Sequence, residues 1–141
     1  MKKVILFTIV SVIGLVIFIS CNQVPNRGME TDNPSNVLVE LIKQYLAGED
    51  FINLCSIDLN ERDVRKTLDD WKSCGGWYSI VEGNDIFKQV TGGVPSLADN
   101  EVVLGFYGGR GDIFNMNGKG FAILSQDKKG KYVIKRILFK R

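Results

Sequence analysis

Val4 to Ile19 is a run of sixteen residues without a charge, opened by Lys2-Lys3 and closed by Ser20-Cys21. A segment this apolar has no place on the surface of a small water-soluble fold, so it is set apart before the rest is folded. As a helix it measures roughly 24 Å at 1.5 Å per residue, short of the ~30 Å hydrocarbon core yet longer than the ~7 to 15 residues of an ordinary signal segment. Length alone leaves a cleaved signal and a retained anchor both open. In either case the lysines hold the N-terminus in the cytoplasm, which predicts that the rest of the chain is exported. Of the 141 residues, about 120 then remain, enough for one domain with one core. The chain divides into a signal or anchor segment (1–20), a polar tether (21–32) carrying Pro25 and Gly28, and one exported domain (33–141).

The end of the apolar run reads Phe18-Ile19-Ser20-Cys21, which resembles the lipobox of bacterial lipoproteins. Ser20 is the small residue before the cut, Ile19 fits, and Phe18 stands where Leu is usual. The resemblance implies lipid attachment at Cys21, with an uncleaved membrane helix as the alternative. Each buried methylene contributes about 0.8 kcal/mol, so several acyl chains hold a protein firmly where one does not. Asn22 follows the cysteine, and the choice between inner and outer membrane stays open.

Three cysteines are an odd number. With Cys21 acylated, Cys55 and Cys74 form the remaining pair, and in an oxidising exported compartment a disulfide between them is expected to persist. Their separation of nineteen positions corresponds to a loop worth roughly 3 kcal/mol in the chain-entropy picture. Two buried free thiols are the alternative.

The chain has no histidine. This removes Ser-His-Asp and Cys-His catalysis and most zinc and non-haem iron sites, all of which need imidazole. Carboxylates are the only general acid–base candidates left: Glu82, Asp85, Asp99, Glu101 and Asp112 fall in or beside turns. A glycosidase needs two such groups at a defined separation in a cleft, which spacing along a chain does not supply. The chain is read as a non-enzyme, with no catalytic residues, no metal ligands and no cofactor.

Of 18 basic and 16 acidic residues, Lys2 and Lys3 belong to the leader, leaving 16 of each beyond it. A domain of zero net charge is not a general nucleic-acid binder. The charges are nonetheless segregated. Lys128 to Arg141 holds seven basic residues and no acid, whereas Glu49 to Asp70 holds seven acids against three bases. One reading is a solvated strand and a solvated helix; the other is a bipolar surface able to dock a charged partner.

Asn33, Pro34 and Gly48 punctuate a first helix as cap, first-turn residue and left-handed terminator, with an apolar stripe of Val37, Leu38, Leu41, Ile42, Tyr45 and Leu46. A second helix is predicted from Glu61 to Ser73, capped by Asn60, with Val64, Leu68 and Trp71 on one face and Gly75-Gly76 at its end. From Trp77 the pattern changes to short apolar runs between turns, predicting strands at 77–81, 86–90, 102–107, 121–125 and 132–139. The expected class is α+β: two N-terminal helices packed on an antiparallel sheet of about five strands. The order loosely resembles cystatin-like and NTF2-like exported domains.

Gly105-Phe106-Tyr107-Gly108-Gly109-Arg110-Gly111-Asp112 is the most unusual stretch of the domain. Its glycines predict a tight exposed loop holding Tyr107 and Arg110 forward, two residue types favoured at interfaces. No Lys-Ser/Thr pair follows, so it is not a phosphate loop. Tyr107, Arg110 and Asp112 here, with Lys135 and Arg136 of the basic final strand, are the candidate partner-binding residues.

Chain length, N-terminal anchor and compact exported domain together resemble the small membrane-anchored periplasmic bacteriocin immunity proteins of the pesticin-immunity type. That resemblance implies a periplasmic protein whose partner is a toxin, a muramidase-type bacteriocin that cleaves peptidoglycan, and which occludes the toxin's cleft. Muramidase clefts are lined by carboxylates, so Arg110 or the basic final strand would supply the complementary charge. The competing expectation is an envelope lipoprotein with an NTF2-like or cystatin-like ligand-binding domain, which requires a hydrophobic cavity between helices and sheet. A structural envelope accessory would have neither a cavity nor an inhibitory surface.

Overall fold

The computed structural model describes residues 32–109 and 116–141. Cys21, Arg110 and Asp112 lie outside the described residues. Helix α1 spans Pro34–Ala47: the Asn33 side chain accepts from the Ser35 N–H at 2.9 Å, and Gly48 closes the helix at φ +72°. Both ends are therefore set by local chemistry, a side-chain acceptor for an orphan donor and a left-handed residue without a Cβ. Val37, Leu38, Leu41 and Ile42 are fully buried, while Leu46 turns outward at 47% exposure. The sequence stripe was thus one residue too wide.

A single 3-10 turn, Ile52–Leu54, leads to helix α2, Glu61–Ser73, where Asn60 accepts from the Arg62 N–H at 2.9 Å. Val64, Leu68 and Trp71 are fully buried, and Gly75 and Gly76 at φ +126° and +72° turn the chain away from the helix end. Trp71 donates its indole N–H to the Trp77 carbonyl at 3.1 Å, which satisfies the ring's polar atom inside the core. The Tyr45 hydroxyl donates to the Asp69 carboxylate and joins the two helices. Burial, and then the neighbouring carboxylate, push the Tyr45 phenol up to about 12. The phenol loses its proton later in the folded than in the unfolded chain. Its stabilising contribution is therefore complete below pH ~10 and lost as pH rises towards about 12. A spectrophotometric titration of phenolate absorbance should lose its last step in Tyr45→Phe, and the wild-type urea midpoint should fall over that window more steeply than the variant's.

Four strands follow: β1 (Ile80–Glu82), β2 (Glu101–Gly109), β3 (Met116–Gln126) and β4 (Tyr132–Lys140). They form one antiparallel sheet in sequence order, so β1 and β4 are its edges. Trp77, expected to begin a strand, makes only an isolated bridge to Gly109. The strand predicted over 86–90 is instead helix α3, Asn84–Thr91, ended by Gly92 at φ +80°. Ile86, Phe87 and Val90 fit one face of a helix, and a short apolar run does not distinguish the two periods by itself. The class is α+β, with three helices and four strands among the described residues.

The helices divide between the two faces of the sheet. α1 and α2 cover the inner face, where Phe106, Ala122, Leu124, Ile134 and Phe139 join the helical side chains in the main core. α3 covers part of the outer face, packing Ile86, Phe87 and Val90 against Val103 and Phe121. Strand alternation accounts for this division, since Leu104 and Phe106 point inward while Val103 and Tyr107 point outward. Glycine permits the close approach on each side. A Cβ at Gly105 would lie 2.7 Å from Ile86 on α3, and one at Gly108 would lie 2.8 Å from Phe139 and 2.9 Å from Trp71.

Candidate protein-binding surface

The glycine-rich stretch is not a loop as far as Gly109. Gly105 to Gly109 belong to β2, paired in register with Phe121 to Met116 of β3 apart from a shift at Gly108/Gly109. Tyr107 is accordingly not held forward on a loop; it is half-buried, sits opposite Lys119 and packs against the α3 cluster. The glycines there serve helix and side-chain packing, and this is why their sequence pattern looked like a turn.

Lys135 and Arg136 are both exposed on edge strand β4, but their surroundings differ. The strand is irregular at this point. Ile123 pairs with Arg136 and Leu124 with Ile134, so Lys135 is the extra residue of a bulge. Lys135 reaches across the sheet to the Glu101 carboxylate. Its hydrogen bond, and then that of the Ala98 N–H, hold the Glu101 carboxyl below the usual carboxylate range. The charge of Lys135 is thereby compensated. Arg136 instead lies over the Phe121 ring, 5.4 Å from its centroid, and forms no ion pair among the described residues. The cation–π contact with a buried ring holds the guanidinium group near the sheet while the side chain stays exposed.

Among the described residues α3 packs mainly on β2 and β3, and Arg136 is exposed on the outer face of β4. Leu138, on the same strand face, is 38% exposed, and Lys140 follows it in the open. Beside the strand, the Ser56 N–H donates to the Ile134 carbonyl at 2.7 Å and fixes the turn that presents Ile57, which is 99% exposed. Sequence reasoning missed Ile57; its only signal was a bulky apolar residue inside the polar turn Ser56-Ile57-Asp58. At the other end of the hairpin, Asp127 accepts from the N–H groups of Lys129 and Lys131, and Gly130 adopts φ +81°. Those backbone hydrogen bonds, that of Lys131 first, lower the Asp127 carboxyl, and the turn they stiffen presents Lys128, Lys129 and Lys131 to solvent.

β4 and the turns flanking it therefore expose an arginine without an ion pair among the described residues, two aliphatic side chains, Ile57 and Leu138, and several lysines. An arginine with aliphatic neighbours suits binding a partner that carries carboxylates. Of the described acid–base candidates, Glu101 is bound to Lys135, Glu82 accepts from the Asn84 N–H, Asp85 lies in the first turn of α3, and Asp99 is exposed in the turn before β2. Among the described residues no group of His, Cys, Asp and Glu could hold a metal ion, and no helix is long and apolar enough to cross a membrane. Cys55 and Cys74 both lie in the main core, but the disulfide expected between them is not formed in the structure, where both thiols are free. Burial, and then Glu61, push the Cys55 thiol up to about 11, as suits a sulfur packed as a small apolar group.

The chain matches no family model, no curated protein sequence and no solved structure.

Proposed function

We propose that the protein is a membrane-anchored periplasmic immunity protein that binds and inhibits a cell-wall-degrading bacteriocin of the muramidase type, with the open outer face of β4 as its contact surface. The observation that carries this reading is Arg136, which lies over Phe121 on edge strand β4 and forms no ion pair among the described residues. A cleft lined by carboxylates is the complement of such a group, and about 800 Å² of contact on this side is sufficient for a stable complex. Ile57 and Leu138 add apolar anchors beside it.

Against a ligand-binding lipoprotein stands the filling of the space between helices and sheet. Trp71, Phe51, Phe106 and Leu41 are each no more than 1% exposed there, and Phe139 stacks on Phe106 with centroids 5.8 Å apart. Cys21 is proposed as the lipid attachment point that holds the inhibitor where the toxin works. The reading is tested by expressing the full chain in sensitive cells and challenging them with a panel of muramidase-type bacteriocins. Survival against one of them, with co-purification of that toxin, is the expected result; uniform killing together with no retained toxin overturns the reading. Cys21→Ser is expected to move the chain out of the membrane fraction or leave it unprocessed. Fatty-acid labelling that persists in that variant overturns the attachment site.

A further inference from the structure

The start of β4 already carries an added stretch of chain on its outer edge. Cys55 bridges Ile134 in the parallel sense, and the Ser56 N–H donates to the Ile134 carbonyl at 2.7 Å. The chain then turns off, with the Leu59 N–H bonded back to the Ser56 carbonyl at 2.9 Å, and the Lys135 bulge follows in β4 itself. Beyond the bulge β4 is regular, Arg136 to Lys140 facing Ile123 to Lys119. Pairing fixes which backbone groups of this second half lie at the edge. The Gln126 N–H donates to the Asn100 carbonyl at 2.8 Å, on the β2 side. Alternation along β3 therefore turns Leu124, Ala122 and Gly120 to β2, and Ile123, Phe121 and Lys119 to β4. Their partners Arg136, Leu138 and Lys140 bond inward, which leaves the N–H and C=O groups of Ile137 and Phe139 at the outer edge. Neither residue takes a backbone partner there among the described residues. Side chains alternate in step: Ile137 and Phe139 join the main core, while Arg136, Leu138 and Lys140 are exposed.

We propose that this edge accepts an extended acidic segment of a partner protein as an added strand. The edge-facing N–H and C=O groups of Ile137 and Phe139 match the main chain of such a segment. Side chains decide which segment. The positions opposite Arg136, Leu138 and Lys140 share one face of the added strand, so the matching pattern is acid, any residue, apolar, any residue, acid. β4 itself contains no acid. Cations along a strand edge deter indiscriminate pairing and favour the strand of complementary charge. A second copy of this chain fits badly, because antiparallel pairing centred on Leu138 would set Arg136 against Lys140 at both ends. The proposal rests on the reading of β4 as the contact strand and adds the form in which the partner meets it.

A synthetic strand tests it without a toxin. The acetylated and amidated peptide Thr-Glu-Thr-Val-Thr-Glu-Thr is added to the full chain in zwitterionic detergent micelles at constant ionic strength, and amide hydrogen exchange is followed by NMR. In the free protein the Ile137 and Phe139 amides should exchange roughly tenfold faster, or more, than that of Leu138, which is bonded to β3. The peptide should slow both saturably, with half-saturation in the millimolar range. One control peptide carries lysine in place of glutamate. A second is N-methylated at the two threonines beside the valine, which keeps the charges and removes the donors that face β4. Neither should protect the two amides. Arg136→Gln and Lys140→Gln should each weaken the response about threefold. Slow exchange of Ile137 and Phe139 in the free protein, equal protection by either control, or protection that follows protein concentration instead of peptide concentration overturns the proposal. Survival in the toxin challenge without peptide protection overturns the added strand alone; peptide protection alongside uniform killing supports the added strand and counts against the toxin alone.

Discussion

Arg136→Glu is expected to weaken toxin binding by two orders of magnitude or more while leaving the domain folded. Truncating one member of a desolvated charge pair costs about 2–5 kcal/mol, and every ~1.4 kcal/mol is tenfold in affinity. Reversal adds repulsion against the carboxylates of the cleft. The loss to the fold is confined to one exposed contact of the guanidinium with the Phe121 ring, worth about 0.5–1 kcal/mol at such a site. Lys135→Gln is the internal comparison. Lys135 already spends its charge on Glu101, so its removal should change affinity by no more than about threefold, in keeping with the small worth of exposed pairs. Both variants are measured as full chains in detergent by titration calorimetry against the toxin that the survival assay identifies, with the melting temperature as control. Equal losses in the two variants would mean that net positive charge, and not the oriented arginine, drives binding.

Trp71→Ala should be the most damaging single change in the domain, at about 3–5 kcal/mol by analogy with other buried aromatic truncations. The side chain is fully buried, meets Tyr78 edge-on with centroids 6.1 Å apart, and holds the Trp77 carbonyl through its indole N–H. Truncation leaves a cavity and an unpaired carbonyl together. A domain of this size has only about 5–15 kcal/mol to lose, so the variant should sit near its unfolding midpoint in mild urea. Gly108→Ala probes the same packing from the sheet side, where its new Cβ would stand 2.9 Å from the Trp71 ring and 2.8 Å from Phe139. The two changes should not be additive: removing the indole relieves one of the two clashes, so the double variant should be less destabilised than the sum of the singles. Urea unfolding of the four proteins of that cycle measures the coupling, and strict additivity would show that the ring and the glycine do not compete for space.

Much of the helical half was legible because its signals are local. Asn33, Asn60 and Gly48 each act on backbone groups within a turn of themselves, and the buried faces of α1 and α2 recur at helical spacing. α3 was not legible. In Ile86-Phe87-Lys88-Gln89-Val90 the apolar residues suit a short strand as well as a helix, and the choice depends on room above the sheet that Gly105, far along the chain, provides. The Gly105–Gly109 run was recognised as unusual but misread. A glycine that makes space for a neighbour and a glycine that turns the chain look the same when the neighbour is out of view.

The candidate surface divides in the same way. That the final strand is basic was visible in its residues, as was the resemblance of the leader to a lipobox and the absence of histidine, because these depend on composition and short-range order alone. Which of two adjacent cations is free was decided only by tertiary structure. A bulge puts Lys135 within reach of Glu101, 34 residues away in the chain, and Arg136 over Phe121. Pairing register and the side of the sheet that α3 covers are set by long-range packing, where the energy comes from burying apolar area between segments distant in sequence. Local sequence determined what the strand carries; the packing of α3 and the β4 bulge decided which part of it faces a partner.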